Sequence, residues 1–366
     1  MDLTHTPERA ALAESVRALL VREWPTSVVR ELQATPTGFH ARRWKQAREL
    51  GWTAIPVPED RGGLGGGFLD LVVVVEELGR AAASLPLVPT VAHGVLPALW
   101  SGADLAGLVS GETIAVPAVL EADGRTEWPV HAATRDGAAH DGSWRLSGAK
   151  TMVPFAEVAD RLLVTTRLDG PGDAVVSVPT GGVPMRRLRL PVGDPVYRVD
   201  LDGIRVTEAD LVAIGAAARE AHSRATAVAT LLACGYTVGL CETALRIAVE
   251  HAKERVQFGR PIGAFQSVAN RCADMRVQTD AFRWLTYEAA WTSDQGLDAA
   301  LAVATAKAYG DLTVRTVTRD AHQVVAGMGI STEHDLHLFT RRARTFAQTG
   351  GSLTGHLHRV ADLIGL

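Results

Sequence analysis

A mainly α-helical protein with a central β domain is predicted for this 366-residue chain, and three observations carry that prediction. Residues 1–110 and 207–366 place apolar side chains at helical spacing, the longest stretch running from Arg224 to Val256 without a proline. Residues 111–206 hold short β-branched runs separated by Gly, Pro and Asp. These runs do not alternate with long helices, so a doubly wound parallel sheet is not expected. The expected order is an N-terminal helical domain (1–110), a middle antiparallel, barrel-like β domain (111–206) and a C-terminal four-helix bundle (207–366).

The elements follow in turn. Thr6-Pro7-Glu8 reads as an N-cap, a first-turn proline and an acidic first turn, with Leu12, Val16, Leu19 and Leu20 on one helical face. Trp44, Ala47 and Leu50 mark a second helix that stops at Gly51. The loop VPEDRGGLGGGFLD (57–70) precedes a helix over 71–79. Thr113–Val116, Leu162–Thr166 and Val175–Val178 read as strands, and DGSWRLSG as a strand and turn. In the C-terminal part, Leu231, Val238, Leu245 and Ala252 keep the seven-residue spacing of a bundle seam. Phe265, Val268, Cys272, Met275, Thr279 and Phe282 define a second bundle helix. Residues 298–321 and 335–347 supply a third and part of a fourth.

Composition removes several functions. A net charge of −4, from 37 basic and 41 acidic residues, argues against nucleic acid as a partner, because phosphate backbones demand clustered positive charge. The strongest apolar run, Leu71–Val75, is far short of a membrane span, and the first residues lack a basic-then-apolar secretion pattern. Cys234, Cys241 and Cys272 have neither disulfide nor metal-ligand spacing, so a reduced, cytoplasmic protein is expected. GGLGGG misses the G-x-G-x-x-G spacing, since Phe68 stands at the third glycine. His334, His337, His356 and His358 lack a carboxylate ligand pattern and read as surface or capping residues, leaving no metal site. Arg186, Arg187 and Arg189 read as a solvated edge.

Two segments ask for more. In ERVQFGRPIGAFQ (254–266) one helix ends and another begins. Arg255 suits an anionic oxygen, Phe258 a ring, Gln266 a hydrogen bond, and free N–H groups at the new helix start suit phosphate. In HQVVAGMGIS, Gln323, Gly327 and Gly329 form a second break where a ligand can approach the backbone. Either alone also fits a plain helix hairpin.

Together and in this order, these segments resemble the acyl-CoA dehydrogenase family. LGWTAIPVPEDRGGLGGGFLDLVVVVEELGRA, GSWRLSGAKTMVPFAEVAD, ERVQFGRPIGAFQSVANRCADM and AHQVVAGMGIS carry the likeness across nearly the whole chain. The resemblance implies the three-part fold above, usually as a dimer of dimers, with FAD bound across a subunit interface. Arg255, Phe258 and Gln266 would meet a neighbour's FAD. Gln323 and Gly327 would approach it from a position where the family pattern QxxGG reads Ala326-Gly327 here. Met152, Val153 and Pro154 would lie beside the isoalloxazine. The implied reaction is α,β-dehydrogenation of an acyl-CoA thioester: a glutamate takes the α-proton, the β-hydride passes to the flavin, and an electron-transfer partner reoxidises it.

The resemblance breaks at the base. The family's C-terminal glutamate position is Gly350, in QTGGSLTG, and the alternative position on the long bundle helix is Ala229. The substrate-facing Arg and Asp of many members correspond to Thr230 and Ala227. Glu242 and Glu250 read as outer-face charges rather than replacements. The flavin loop reads PAVLEADGR (117–125), and Met152-Val153-Pro154-Phe155 replaces Trp-Ile-Ser/Thr-Asn. Three readings follow: the subunit without a base in a heteromeric dehydrogenase whose second subunit carries the glutamate; a self-sufficient enzyme with another base; or a non-redox thioester-binding or scaffold relative. The acyl group stays open among steroid, branched-chain and polyketide-type thioesters.

Overall fold

A computed structural model describes residues 6–121, 143–190, 193–346 and 349–366, and the backbone of 132–135. Helix α1 (Pro7–Glu23) starts as its sequence dictates: the Thr6 hydroxyl accepts from the Arg9 N–H at 3.3 Å, with Pro7 in the first turn. Helices α2 (Thr26–Ala34) and α3 (Ala41–Glu49) follow. Helix α2 was not foreseen, and Leu50 caps α3 from outside it. Helix α4 (Phe68–Arg80) carries the Leu71–Val75 run into the core. Its free N-terminal amides are met from the bundle, where Asp294 accepts from Phe68 N at 2.5 Å and Leu69 N at 3.1 Å. Short helices α5 (Leu87–Pro89) and α6 (Leu96–Ser101) flank a π-turn at Thr90–Val95, and α7 (Ala106–Val109) closes the segment.

The middle region contains two sheets. Strands β1 (Ala115–Ala118), β2 (Ala132–Arg135), β3 (Trp144–Arg145), β5 (Arg161–Leu168), β6 (Gly172–Pro179), β9 (Arg205–Val206) and β10 (Leu211–Ile214) form the larger one. Strands β4 (Ala149–Pro154), β8 (Val196–Asp200) and β7 (Met185–Leu188) form the smaller one in that spatial order. The pairing is not wholly antiparallel as expected, because β1 and β2 both run parallel to β5. The three quoted runs fall on β1, β5 and β6. Residues 141–142 of DGSWRLSG and 122–125 of the flavin-loop segment lie outside the described residues.

The bundle is built on α8 (Gly215–Glu254), a 40-residue helix that begins well before the expected Arg224. With it pack α9 (Gln266–Asp294), α10 (Ala300–Val325), α11 (Leu336–Thr345) and α12 (Leu353–Leu363). Helix α8 is long and apolar enough to cross a membrane, contrary to the reading from Leu71–Val75, but most of its apolar window is buried inside the protein. Its seam residues Leu231, Val238, Leu245 and Ala252 are all buried. The close approach of α4 and α8 depends on two glycines. A Cβ on Gly79 would stand 1.8 Å from the Tyr236 carbonyl oxygen, and one on Gly239 would stand 2.0 Å from that of Glu76. Backbone therefore meets backbone here, locking the N-terminal helices to the bundle.

Glu242 is not the outer-face charge it was read as. It accepts from Arg276 at 2.9 and 2.6 Å and from Arg283 at 2.6 Å, while Arg283 also reaches Glu76 at 3.0 Å. Burial pushes its carboxyl up, but the two guanidiniums outweigh burial and hold it down to about 2. Helical position alone concealed this, since the arginines come from a different helix. Glu250 does stay at the surface, paired with Arg246 at 3.0 Å.

Candidate functional site

The break at 254–266 is a β-hairpin. Strands β11 (Val256–Gln257) and β12 (Arg260–Pro261) pair antiparallel around Phe258-Gly259. Both turn residues have positive φ, 51° and 77°, the geometry of a two-residue type I′ turn that normally selects Asn-Gly. Phe258 accepts this unfavourable conformation and is 93% exposed. The Arg260 guanidinium sits 4.2 Å over the Phe265 ring, and Phe258 meets that ring edge-on at 6.0 Å. Arg255 is the C-cap of α8, and Gln266 opens α9. Among the described residues, the side chains of Arg255 and Gln266 make no ion pair or hydrogen bond.

Helix α10 ends at the same end of the bundle as the hairpin. Gln323 and Gly327 are exposed there, beside Met328 and Ile330. Ala326 takes φ 58°, a strained backbone for alanine of the kind that gathers at ligand clamps. Open space surrounds Gly327, whereas Gly329 is buried with a Cβ site 3.0 Å from Leu336.

The β-domain positions lie elsewhere. Strand β4 bulges between Lys150 and Val153 against β8, with Met152 at φ 54° and Phe155 at 53°. Met152 and Pro154 keep partial exposure, but Val153 turns its side chain into the core at 1% exposure. At Val153 it is therefore the backbone, not the side chain, that is open to a ligand. Beside the bulge, Lys150 and Glu121 form a buried ion pair at 3.0 Å.

Around Gly350, the position expected from the sequence to stand where the family has its base, the chain packs against itself. Gly350 takes φ 72°, and a Cβ there would lie 2.1 Å from the Thr230 hydroxyl oxygen of α8, far inside van der Waals contact. Thr230 is held by its own hydrogen bond to the Thr226 carbonyl at 2.8 Å. Ala229 is half-buried next to it and brings no acid. From the other side, His356 Nε2 lies 2.8 Å from the Gly350 carbonyl oxygen. That contact makes Nε2 the donor and leaves Nδ1 as the lone-pair nitrogen, buried and without a partner among the described residues. Burial lowers the His356 pKa, so the ring is neutral near pH 7. Nearby, Lys307 and Asp311 form a fully buried ion pair at 2.7 Å, with the ammonium 4.2 Å over the Phe346 ring. Asp311 Oδ1 has no partner.

The other histidines fulfil part of the expectation. His334 and His337 cap locally: His334 Nδ1 accepts from Leu336 N, and His337 Nδ1 meets the His334 carbonyl at 2.7 Å. His337 is nevertheless buried, not at the surface. No group of metal-ligand side chains occurs among the described residues.

This architecture and these segments define an acyl-CoA dehydrogenase, and the chain belongs to that family. The acyl-CoA dehydrogenase N-terminal domain model matches residues 6–104 and the C-terminal domain model residues 220–364. Acyl-CoA dehydrogenase FadE27 of Mycobacterium tuberculosis is 30% identical, with 98% of each chain covered. Among solved structures, the ChsE4-ChsE5 complex of Mycobacterium tuberculosis superposes with a TM-score of 0.88 at 28% identity, covering 100% of this chain and 99% of that one. A Tcur3481-Tcur3483 steroid ACAD gives 0.85 at 27%, covering 98% of each. The protein is thus an acyl-CoA dehydrogenase-family flavoprotein whose cofactor is FAD.

The side chains at the hairpin fit that cofactor. A guanidinium and an amide without a partner among the described residues, beside an exposed ring, match phosphate and aromatic groups.

Proposed function

We propose that this chain is the subunit without a catalytic base in a heteromeric, FAD-dependent acyl-CoA dehydrogenase. FAD supplies the two-electron acceptor when bound; the residues of this chain bind and orient it. Arg255, Phe258 and Gln266, with Gln323 and Gly327, are read as the part of an FAD site lent to a neighbouring subunit. A second subunit is read as supplying the glutamate that takes the α-proton.

One observation carries the reading: the 2.1 Å approach of a Gly350 Cβ to Thr230. On this reading the expected base position carries no acid, and a side chain there would require Thr230 to shift. The lent half-site lies farther along the same helix, since Thr230 precedes the end of α8 by roughly 36 Å at about 1.5 Å per residue. A subunit can therefore lose one function and keep the other. The likeness to a steroid ACAD makes a steroid thioester the first acyl group to try. The reading also carries a cytoplasmic location and an electron-transfer partner.

Co-purification tests it. The chain expressed alone is expected to be colourless, and to become yellow with a co-expressed family subunit that carries the glutamate. One FAD per chain in the isolated protein, with dehydrogenation of an acyl-CoA, would overturn the proposal.

A second reading has its own observation. His356 presents a neutral ring with a buried, unpartnered Nδ1 beside the Gly350 backbone, a suitable proton acceptor. On that reading the chain works alone, and His356→Ala abolishes its turnover.

A further inference from the structure

The histidine that opens HQVVAGMGIS takes no part in the lent half-site, yet it grips the break on two sides. His322 lies in the last turn of α10, directly before Gln323. Its carbonyl accepts from the N–H of Ala326, the residue with the strained backbone. Its ring Nε2 lies 2.9 Å from the Thr340 hydroxyl oxygen on α11. Thr340 donates its own proton to the Leu336 carbonyl at 3.1 Å, so Nε2 must be the donor and the ring is fixed as one neutral tautomer. The helix that ends at the break is thereby pinned to the helix that follows it.

A second proton has no place on this ring. Nδ1 is buried with no hydrogen-bond partner among the described residues. It packs against the break itself, where a Cβ on Gly329 would stand 3.1 Å from it. The charges around it are mainly positive. Helix α11 brings Arg341, Arg344 and the buried His337, and the turn before it brings His334. Arg30 of α2 reaches the same turn, donating to the Glu333 carbonyl at 3.3 Å and to Asp335 at 2.7 Å. From α8 come His251 and Arg255, with Glu254 beside His251. The nearby acids are engaged or at the surface. Asp335 is held by Arg30 and Thr26, Asp320 of α10 by Arg319 and by Arg271 of α9, and Glu333 is exposed. His356 of α12 sits with Lys307 and Asp311, toward the other end of α10.

Burial, together with Arg344, His334, His337 and Arg341, holds the His322 pKa below the ordinary histidine value. A proton on Nδ1 would put an unpartnered charge in the interior, so the ring accepts one only by leaving Thr340 and Gly329. The sign follows from the lowered value. The pinned form is complete above the ordinary histidine pKa of about 6.5 and is lost as pH falls below it toward the folded value.

We infer that His322 is a positioning residue, whose neutral ring pins the break after α10 in a single conformation and whose protonation releases it. Its consequence for the cofactor rests on the reading of Gln323 and Gly327 as part of a lent FAD half-site; the release itself does not.

Two measurements test this on the wild type, on His322→Gln, whose amide can still donate to Thr340 but does not titrate, and on Thr340→Val, which removes the acceptor. In the full chain, the wild-type rate of hydrogen exchange at the Ala326 amide, divided by the His322→Gln rate, should rise about tenfold from about pH 7.5 to about pH 5.5. Thr340→Val should exchange faster than wild type at both. In the assembled complex, wild-type FAD affinity should fall about tenfold over the same range. It should stay level in His322→Gln and be weak throughout in Thr340→Val. The same pH dependence in wild type and His322→Gln, or wild-type behaviour of Thr340→Val near neutrality, would overturn the inference. Exchange that responds while FAD affinity does not is read against Arg255→Ala. If that variant also leaves affinity unchanged, the half-site reading fails and the pin stands; if it lowers affinity, His322 does not position the half-site and the inference fails.

Discussion

Two stretches of helix α8, its C-terminal end and the turn around Thr230, have opposite characters. At its C-terminal end the chain exposes what a folded protein usually hides: a ring at 93% exposure on a left-handed backbone, a cation with no anion, and a strained Ala326. Around Thr230 it packs against itself, ties Gly350 to His356 and buries an ion pair behind them. One stretch leaves its side chains exposed, the other is organised around the chain's own packing. If the proposed roles hold, cofactor binding and proton abstraction are separated along one long helix.

The comparison is sharpened first at the packed end, where the largest effect is expected. Asp311→Ala strands Lys307 without a counter-charge in the core and should cost about 3–5 kcal/mol, read by denaturant unfolding. A loss under about 1 kcal/mol would show that the pair contributes little to that end. Glu242→Gln should come next, at about 2 kcal/mol near neutral pH, because it weakens a part-buried link of α8 to α9 and α4. Its pH dependence has a definite sign. The folded carboxyl is held at about 2, below its ordinary 4.5, so its contribution is present above about pH 4.5 and is lost as pH falls through 2. Unfolding measured between pH 5 and 2 should show a smaller slope in the Gln variant.

At the hairpin end, function should change while stability stays. Arg255→Ala should lower FAD affinity of the assembled complex about tenfold, the weight of one charged phosphate contact, as flavin absorbance per complex would show. Phe258→Ala should leave unfolding within about 0.5 kcal/mol yet reduce flavin occupancy. A large stability loss would mean the ring packs within its own chain. The smallest effect is Ala326→Gly, which relieves a positive φ and should stabilise by under about 1 kcal/mol.

Local patterns in the sequence were readable where local physics decides. The Thr6-Pro7 cap, the seven-residue seam of α8 and the small-residue break after α10 follow from neighbours in the chain. The hairpin inside ERVQFGRPIGAFQ was read only as a break, because Phe-Gly is a poor type I′ sequence. Helix α2 was missed because nine residues hemmed by prolines carry little periodicity. The parallel pairing of β1 and β2 with β5, the Glu242–Arg283 link and the Thr230–Gly350 contact join distant segments, and no spacing rule reports them. The absent acid at 350 and 229 was legible.

Turnover by the isolated chain tests the central claim most directly. With saturating FAD, an acyl-CoA thioester and a dye acceptor, the chain alone should show no dehydrogenation, and activity should appear only with a family subunit carrying the glutamate. Turnover by the isolated chain, lost on His356→Ala, would contradict the account and identify His356 as its base.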